Sequence, residues 1–204
     1  MRILFLGRPT SPVLAHLRQV EETVEASYDR VTLTSVAQAS PDFIVSHGCR
    51  QILRPYLLDL FPDRVVNLHI AYLPWNRGAD PHIWSAIEGT PSGVTIHYVD
   101  KGIDTGDIIA QREVMWLPDG VTVRDTYELL QAEMLDLFVE HWPEIRDGSC
   151  PRYPQEGEGS FHRVADLEHV RLPFGKDTRL ATLRRPGLLV PGPVPGEGDE
   201  IVYA

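Results

Sequence analysis

Three short apolar segments, separated by stretches long enough to hold helices, constrain the fold of this chain more than any other feature. They occupy residues 3–6, 43–46 and 65–69, and each is rich in branched or aromatic side chains. Runs of this kind alternate with crossover helices in proteins whose parallel sheet is buried on both faces. We therefore predict an α/β fold with a Rossmann-like, mostly parallel sheet and helices on both faces.

The stretches between the apolar runs predict the helices. Crossover helices are expected around residues 13–24 and 53–61. A further helix is expected over 81–88, with Asp80 as its N-cap and Pro81 in its first turn.

The later part of the chain predicts two more strands and a long helix. Strands over 94–99 and 108–114 are expected to flank a turn-rich loop at 101–107. Such a loop is well placed for chemistry. From residue 122 to about 147 apolar residues recur at helical spacing, which predicts an amphipathic helix packed over the sheet.

The length of 204 residues suits one principal domain with a substantial core and is too short for two full-sized ones. Near the end, prolines alternate with glycines between residues 191 and 198, which disfavours regular structure. We predict a principal domain at 1–150 and a short, irregular C-terminal extension at 151–204. A small accessory element is expected within 157–183.

Charge and composition exclude several classes of protein. The formal net charge of −10 disfavours sequence-independent nucleic-acid binding, which needs clustered Lys and Arg. A hydrophobic fraction of 43% is typical of a globular protein and not of a membrane protein, so no membrane association is predicted. The apolar run at 3–6 is too brief for a signal peptide, so we expect a cytoplasmic location. Cys49 and Cys150 are expected to be reduced thiols.

Candidate chemistry is concentrated in the third apolar run. A strand over 65–69 places Asn67 and His69 two positions apart and therefore on one face. An amide beside an imidazole suits acyl transfer, because the Asn NH2 can stabilise an oxyanion while the His moves a proton or adds positive charge. Asp104, in a glycine-flanked loop, can orient the His or relay a proton. Spacing alone equally allows a core histidine and a turn-forming Asp.

Three motifs, in their order and spacing, resemble the folate-dependent formyltransferase superfamily. They are Asn67-Leu68-His69, then Leu73-Pro74-Trp75-Asn76-Arg77-Gly78, and then Gly102-Ile103-Asp104-Thr105-Gly106-Asp107-Ile108-Ile109. The resemblance covers roughly residues 1–142. It implies transfer of the formyl group of 10-formyltetrahydrofolate to a primary amine, with Asn67, His69 and Asp104 as the catalytic residues.

The same resemblance implies where the folate cosubstrate binds. Residues 46–53 are similar to the stretch whose backbone meets the pterin ring, and residues 100–103 are similar to the loop that closes the other side of that pocket. The cofactor-binding candidates are Arg50, Gln51, Ile52, Leu53, Asp100, Lys101, Gly102 and Ile103.

Three further residues are candidates for contact with the acceptor. Arg77 follows the catalytic strand and could contact an anionic acceptor, although solvent exposure explains an Arg equally well. Trp75 is interpreted as pocket wall or core. His97 has a counterpart near the active site in part of the family, and plain packing is its alternative role.

A metal site is a different interpretation of the same residues, because two histidines and a carboxylate form a known facial arrangement for iron. The motif match disfavours it. His69 and His97 also lie on separate predicted strands, without the short His spacing of common zinc motifs. We therefore predict no metal.

The acceptor implied by the resemblance is a small-molecule amine. We favour a nucleotide-linked amino sugar, and an amino acid, free or on a carrier protein, is the alternative. Methionyl-tRNA is disfavoured by the acidic charge and by the short stretch after the long helix. Glycinamide ribonucleotide is disfavoured because Pro9 and Pro12 remove amide donors from a phosphate-binding loop. A hydrolase of the same folate and a non-catalytic folate-binding module stay as alternatives, and a homodimer is a further expectation.

Overall fold

A computed structural model describes residues 1–21, 23–28, 30–115, 120–170 and 174–184 of the chain. Two sheets and six α-helices make up this part. The strands are β1 (Arg2–Gly7), β2 (Thr23–Ser27), β3 (Phe43–His47), β4 (Val65–His69), β5 (Arg77–Gly78), β6 (Gly93–Tyr98), β7 (Ile108–Glu113) and β8 (Phe161–His162). The α-helices are α1 (Pro12–Val20), α2 (Leu33–Ala39), α3 (Pro55–Leu58), α4 (Pro81–Glu88), α5 (Val123–Asp147) and α6 (Leu180–Leu183), and a 3-10 helix spans Val164–His169.

The main sheet has the strand order β2-β1-β3-β4-β6-β7. The first four strands in this order run parallel to one another. Strand β6 is antiparallel to both β4 and β7. Helices cover both faces, and this confirms the predicted α/β, mostly parallel fold.

Each face of the sheet has its own apolar core. Helices α1 and α5 cover one face, where Phe5 and Phe138 are fully buried. Helices α2 and α3 cover the opposite face, where Ile44 and Leu57 are buried. Burial of each such side chain contributes about 1.5 to 3 kcal/mol relative to leaving it exposed. The two cores therefore stabilise the sheet from both faces.

Local sequence signals explain where the long helix begins and ends. Thr122 and Asp125 form a reciprocal capping box at the start of α5, which satisfies two otherwise unpaired backbone donors. Gly148 closes the helix in the left-handed conformation. The predicted amphipathic helix is therefore present, and it presents Leu130 and Met134 to the sheet.

Five local features of the structure differ from the sequence-based expectations. The helix expected over 13–24 ends at Val20, and residues 23–27 form strand β2, which was not predicted. Helix α2 was not predicted either. The helix expected over 53–61 is only the four residues of α3. Asp80 occupies the N-cap of α4 but adopts a left-handed conformation with φ 49°, so its side chain makes no capping hydrogen bond.

The described part of the extension packs along the principal domain. The backbone of Tyr153 exchanges two hydrogen bonds with that of Ile108, at 2.7 and 2.9 Å. Strand β8 pairs with β5 in a small parallel sheet. Helix α6 contributes Leu180 to a third core with Ile83 of α4. The boundary at residue 150 stays a prediction, and the irregular tail predicted around residues 191–198 lies outside the described residues.

None of the helices in the described ranges combines the length and apolar character that crossing a membrane would need.

Candidate active site

The site is centred on β4 and β6, which lie side by side in the main sheet. Asn67 of β4 is the direct cross-strand partner of His97 of β6, and His69 is the partner of Thr95. Because side chains alternate along a strand, these four side chains share one face. Asn67 is partly exposed, whereas His69 and His97 are buried. The predicted same-face arrangement of Asn67 and His69 is therefore present.

The loop between β6 and β7 brings Asp104 onto this face. Its Oδ1 accepts a hydrogen bond from Asn67 Nδ2 at 3.0 Å. Its Oδ2 accepts one from the backbone N–H of Gly78 at 2.9 Å. The two imidazoles also face this carboxylate, with His69 Nδ1 at 3.6 Å from Oδ2 and His97 Nε2 at 3.4 Å from Oδ1. The structure thus brings together all three predicted catalytic residues and adds His97.

Backbone carbonyls select the hydrogen positions on both imidazoles. A carbonyl oxygen only accepts, so His69 Nε2 carries the hydrogen it donates to the oxygen of Asn76 at 2.9 Å. His97 Nδ1 likewise donates to the oxygen of Tyr98 at 2.7 Å. The remaining nitrogen of each ring therefore faces Asp104. Each ring becomes a cation beside the carboxylate when that nitrogen takes up a proton.

Asp104 is held in its charged form. Burial acts to raise the pKa of Asp104, but the charge of His69, the hydrogen bond and charge of His97 and the Gly78 N–H together lower it well below its usual range. A depressed carboxyl pKa stabilises the fold above the unfolded value near 3.8, and that contribution is lost only as pH falls through the lowered folded value. The carboxylate is therefore ionised at neutral pH.

Asn67 is positioned as a hydrogen-bond donor at the open side of the cluster. One amide hydrogen is donated to Asp104, and the other lies toward His97 Nε2 at 3.3 Å. Protonation of His97 removes that acceptor and frees the second Asn67 hydrogen for an incoming oxygen. The group can therefore supply a donor to a developing oxyanion, a fixed negative charge and two imidazoles within reach of it.

The predicted cofactor-binding segment 50–53 lies beside the second core. Leu53 is buried there, and Val99 packs against the same core from the start of the loop that leads to Asp104. The side chain of Gln51 is engaged with Val31, whose N–H it accepts at 2.6 Å and whose carbonyl it donates to at 2.9 Å. The Gln51 amide is therefore already satisfied within the protein and is not free to bind a ligand.

The predicted loop 100–103 is shaped by its own hydrogen bonds. Asp100 Oδ1 accepts from the N–H of Gly102 at 3.0 Å and from Thr105 Oγ1 at 2.7 Å. A Cβ on Gly102 would lie 2.0 Å from Thr105 Oγ1, so this turn has no room for a side chain there. The loop borders an open cleft on the surface beside α3, which is lined by Leu58, Asp59, Pro62, Asp100, Lys101 and Gly102.

The three predicted acceptor contacts have different surroundings. Trp75 is half-buried in the turn after β4, where its backbone N–H donates to the backbone oxygen of Tyr72 at 3.1 Å. The guanidinium of Arg77 donates two hydrogen bonds to Gln155 Oε1, at 3.0 and 2.8 Å. His97 is almost fully buried and lies against the Asp104 carboxylate. The acceptor-binding roles of these residues stay predictions.

Several residues outside the set predicted from the sequence hold the site together. Asn76 is fully buried and orients His69 through its carbonyl, while its side chain bonds to Thr90 at 2.8 Å. Gln111 donates to the oxygen of Leu73 and to Thr95, which fixes the loop after β4. These contacts join distant positions, so no local pattern indicated them.

Within the described ranges, no group of three or more His, Cys, Asp or Glu side chains is arranged to hold a metal ion.

A family model described as formyl transferase matches residues 8–141. Among curated proteins, the dTDP-4-amino-4,6-dideoxyglucose formyltransferase of Mycobacterium tuberculosis is 37% identical over 133 residues, which cover 64% of this chain and 54% of the relative. The methionyl-tRNA formyltransferase of Syntrophus aciditrophicus is 37% identical over 170 residues, covering 82% of this chain and 53% of the relative. The chain thus spans about half the length of these curated relatives.

A solved structure matches over more of both chains. The formyltransferase PseJ from Anoxybacillus kamchatkensis, crystallised in complex with UDP-4,6-dideoxy-4-formamido-L-AltNAc and tetrahydrofolate, is similar with a TM-score of 0.84 and 42% identity. The match covers 90% of this chain and 98% of that chain.

Proposed function

Because the chain belongs to the formyl transferase family, we propose that it transfers the formyl group of 10-formyltetrahydrofolate to the amine of a nucleotide-linked amino sugar. The family match confirms the resemblance that the sequence motifs predicted. The observation that carries the proposal is the similarity to PseJ over nearly the whole of both chains, because that structure holds a formamido nucleotide sugar together with tetrahydrofolate.

Four side chains, which we call the site cluster, supply the groups that this reaction needs: Asn67, His69, His97 and Asp104. The amine nitrogen forms a bond to the formyl carbon, and the carbon–nitrogen bond to the folate breaks. Asn67 donates a hydrogen bond to the formyl oxygen as negative charge develops there, in the manner of an oxyanion hole. His69 and Asp104 take up the proton that the amine loses and return a proton to the leaving folate nitrogen. Atoms and charge balance without a further reactant.

We propose that the folate binds between the segment 50–53, which contributes Leu53 to the second core, and the loop 100–103, which borders the cleft beside α3. Residues 50–53 offer backbone groups beside Leu53, and the loop 100–103 presents the cleft beside α3. Asp104 directly follows this loop, so a folate held there brings its formyl group toward Asn67. The fit rests on the main chain, because the Gln51 and Asp100 side chains are already engaged.

The decisive experiment offers matched acceptors to the purified protein with 10-formyltetrahydrofolate. The first is a UDP-linked 4-amino-4,6-dideoxy sugar, the amine that corresponds to the formamido ligand of PseJ. Its N-acetylated counterpart, in which the 4-amino group is blocked, is the control. Mass spectrometry should detect a gain of one formyl group on the free amine and none on the blocked one.

Other acceptors are outcomes of the same assay. Formylation of a free or carrier-bound amino acid, or of methionyl-tRNA, with no reaction of the amino sugar would overturn the acceptor part of the proposal. Formate release without any formylated amine would indicate a hydrolase. Absence of both products would leave a folate-binding module as the better account. The homodimer and the cytoplasmic location stay predictions.

A further inference from the structure

Gln155, in the C-terminal extension, contacts the main chain of the Asp104 loop. Its Nε2 donates to the oxygen of Asp104 at 2.9 Å and to the oxygen of Gly106 at 2.9 Å. Both hydrogens of one amide are thus used on two carbonyls of the same turn. We propose that Gln155 is a positioning residue that holds Asp104 in its working geometry, an inference that rests on the proposed formyl transfer.

The Asp104 turn needs such support, because Asp104 has a φ of 53°. This left-handed conformation is costly for a residue other than Gly, and it persists only where the surroundings enforce it. Two residues later the turn passes so close to β6 that a Cβ on Gly106 would lie 1.9 Å from the oxygen of Tyr98. The amide of Gln155 holds the turn between these two constrained positions.

Arg77 sets the orientation of the Gln155 amide. Its Nε and Nη2 both donate to Gln155 Oε1, so the oxygen of the amide must face Arg77 and the NH2 must face the Asp104 turn. A carboxylate at position 155 would keep the contact with Arg77 but would place an acceptor against two carbonyl oxygens. The geometry therefore requires an amide at this position.

Strand β5, to which Arg77 belongs, also contacts the side chain of Asp104. Gly78, the residue after Arg77 in β5, donates its N–H to Asp104 Oδ2 at 2.9 Å. Arg77, Gly78 and Gln155, which we call the Asp104 clamp, thus hold the main chain and the carboxylate of Asp104 together. Arg77 acts in this clamp through Gln155, and its guanidinium is directed at that amide, which is a different role from contact with an acceptor phosphate.

The test compares Gln155→Ala and Gln155→Glu with the wild type. Both variants lose the two donors to the turn, and misplacement of a catalytic group by about 1 Å can cost a hundredfold in rate, so we expect kcat to fall by about tenfold to a hundredfold. The KM for the amino sugar should change by less than about twofold, since the acceptor contacts are intact under this proposal. Arg124→Gln is the matched control, because Arg124 joins α5 to Asp177 of the same extension at 3.1 Å.

Combination with Asp104→Asn separates positioning from general destabilisation. If Gln155 acts through Asp104, adding Gln155→Ala to Asp104→Asn should lower kcat by less than about twofold, since coupled residues are not additive. Losses that multiply would overturn the proposal. So would a rise in acceptor KM with kcat retained, which would instead place Arg77 at the acceptor.

Hydrogen exchange keeps this test independent of the proposed reaction. The amides of residues 104–107 should exchange faster in Gln155→Ala than in the wild type, while those of β1 are unchanged. Unchanged exchange in the loop would contradict the clamp. If the wild type formylates no amine while Gln155→Ala still shows this faster exchange, the proposed function would be overturned and the clamp would stay in place.

Discussion

Two buried clusters of polar side chains, each with histidines, differ in how their polar atoms are satisfied. The site cluster contains Asn67, His69, His97 and Asp104. The second group, which we call the α4 cluster, lies on or beside helix α4. It consists of Trp84 with its stacking partner His162 and the nearby Glu88, and of His82, whose ring lies against Tyr127. Their difference shows what distinguishes a reactive arrangement from a packing arrangement in this protein.

In the site cluster the polar groups converge on one charge. Asp104 has hydrogen bonds or charge contacts from Asn67, Gly78, His69 and His97. The far nitrogen of each imidazole is fixed by a backbone carbonyl, so both rings present their other nitrogen to the carboxylate. The arrangement stabilises charge and leaves protons able to move.

In the α4 cluster the aromatic rings mainly pack against one another. Trp84 and His162 stack at 3.9 Å with an interplanar angle of 5°. Among the described residues, His82 Nδ1 and Trp84 Nε1 are buried without a hydrogen-bond partner. His162 Nε2 lies 3.2 Å from Glu88 Oε1, near enough for a charge contact but without hydrogen-bond alignment. A buried histidine therefore indicates chemistry only where charged partners converge on it.

Removal of the central charge or its imidazole partner should have the largest effect. We expect His69→Ala and Asp104→Asn each to lower kcat by about a hundredfold to ten-thousandfold, the range for a positioned acid or base. The double variant should be little worse than the worse single one, because the two groups form one contact pair. Steady-state turnover of all three variants checks this, and multiplicative losses would show that the residues act independently.

The oxyanion donor should have the next largest effect. Asn67→Ala should lower kcat by about a hundredfold to a thousandfold, roughly 2.7 to 4 kcal/mol of transition-state stabilisation, with little change in folate affinity. Turnover and folate binding measured on the same preparation test this. Near-normal turnover would remove Asn67 from the catalytic group, as would a loss explained wholly by weaker folate binding.

The α4 cluster should respond in stability and not in turnover. Burial lowers the pKa of His82 to about 4, although Asp80 acts to raise it. The imidazole therefore takes up a proton near pH 6.5 in the unfolded chain but only near pH 4 in the folded chain. The free energy of unfolding consequently falls as the pH drops from 6.5 to 4. Between pH 7 and 4.5 the free energy of unfolding of His82→Phe should therefore fall by about 2 to 3 kcal/mol less than that of the wild type.

Urea unfolding of the wild type and of His82→Phe at the two pH values measures this difference. His47, whose pKa burial also lowers to about 4, should keep part of the acid sensitivity in both proteins. Identical pH dependence of the two unfolding free energies would contradict the assignment to His82. The variant should retain kcat at pH 7.

Chelation should have the smallest effect, which is none. The proposed reaction assigns charge stabilisation to Asn67 and proton transfer to His69 with Asp104. Turnover in a strong chelator should therefore equal turnover in buffer. Activity lost in the chelator and restored by iron or zinc would support the facial metal site instead.

The sequence by itself determined the features that depend on neighbouring residues. Strands β3 and β4 appear where branched apolar runs predict them, and α5 where apolar residues recur with helical spacing. Asn67 and His69 share a face because side chains alternate along any strand. Strand β2 and helix α2 were not predicted because both are short and bury few side chains. Only Val36 and Ala39 of α2 are buried, and β2 forms one edge of the sheet, where three of its five residues are exposed.

Only the tertiary structure decided which distant groups meet. The order of the strands places β6 beside β4, and this puts His97 against Asn67, thirty positions away in the chain. The C-terminal extension packs against the principal domain, where β8 pairs with β5 and Gln155 contacts the Asp104 turn. Such contacts depend on how whole elements pack, and packing energy is shared by many residues of each core, so no short stretch of sequence carries the information that specifies them.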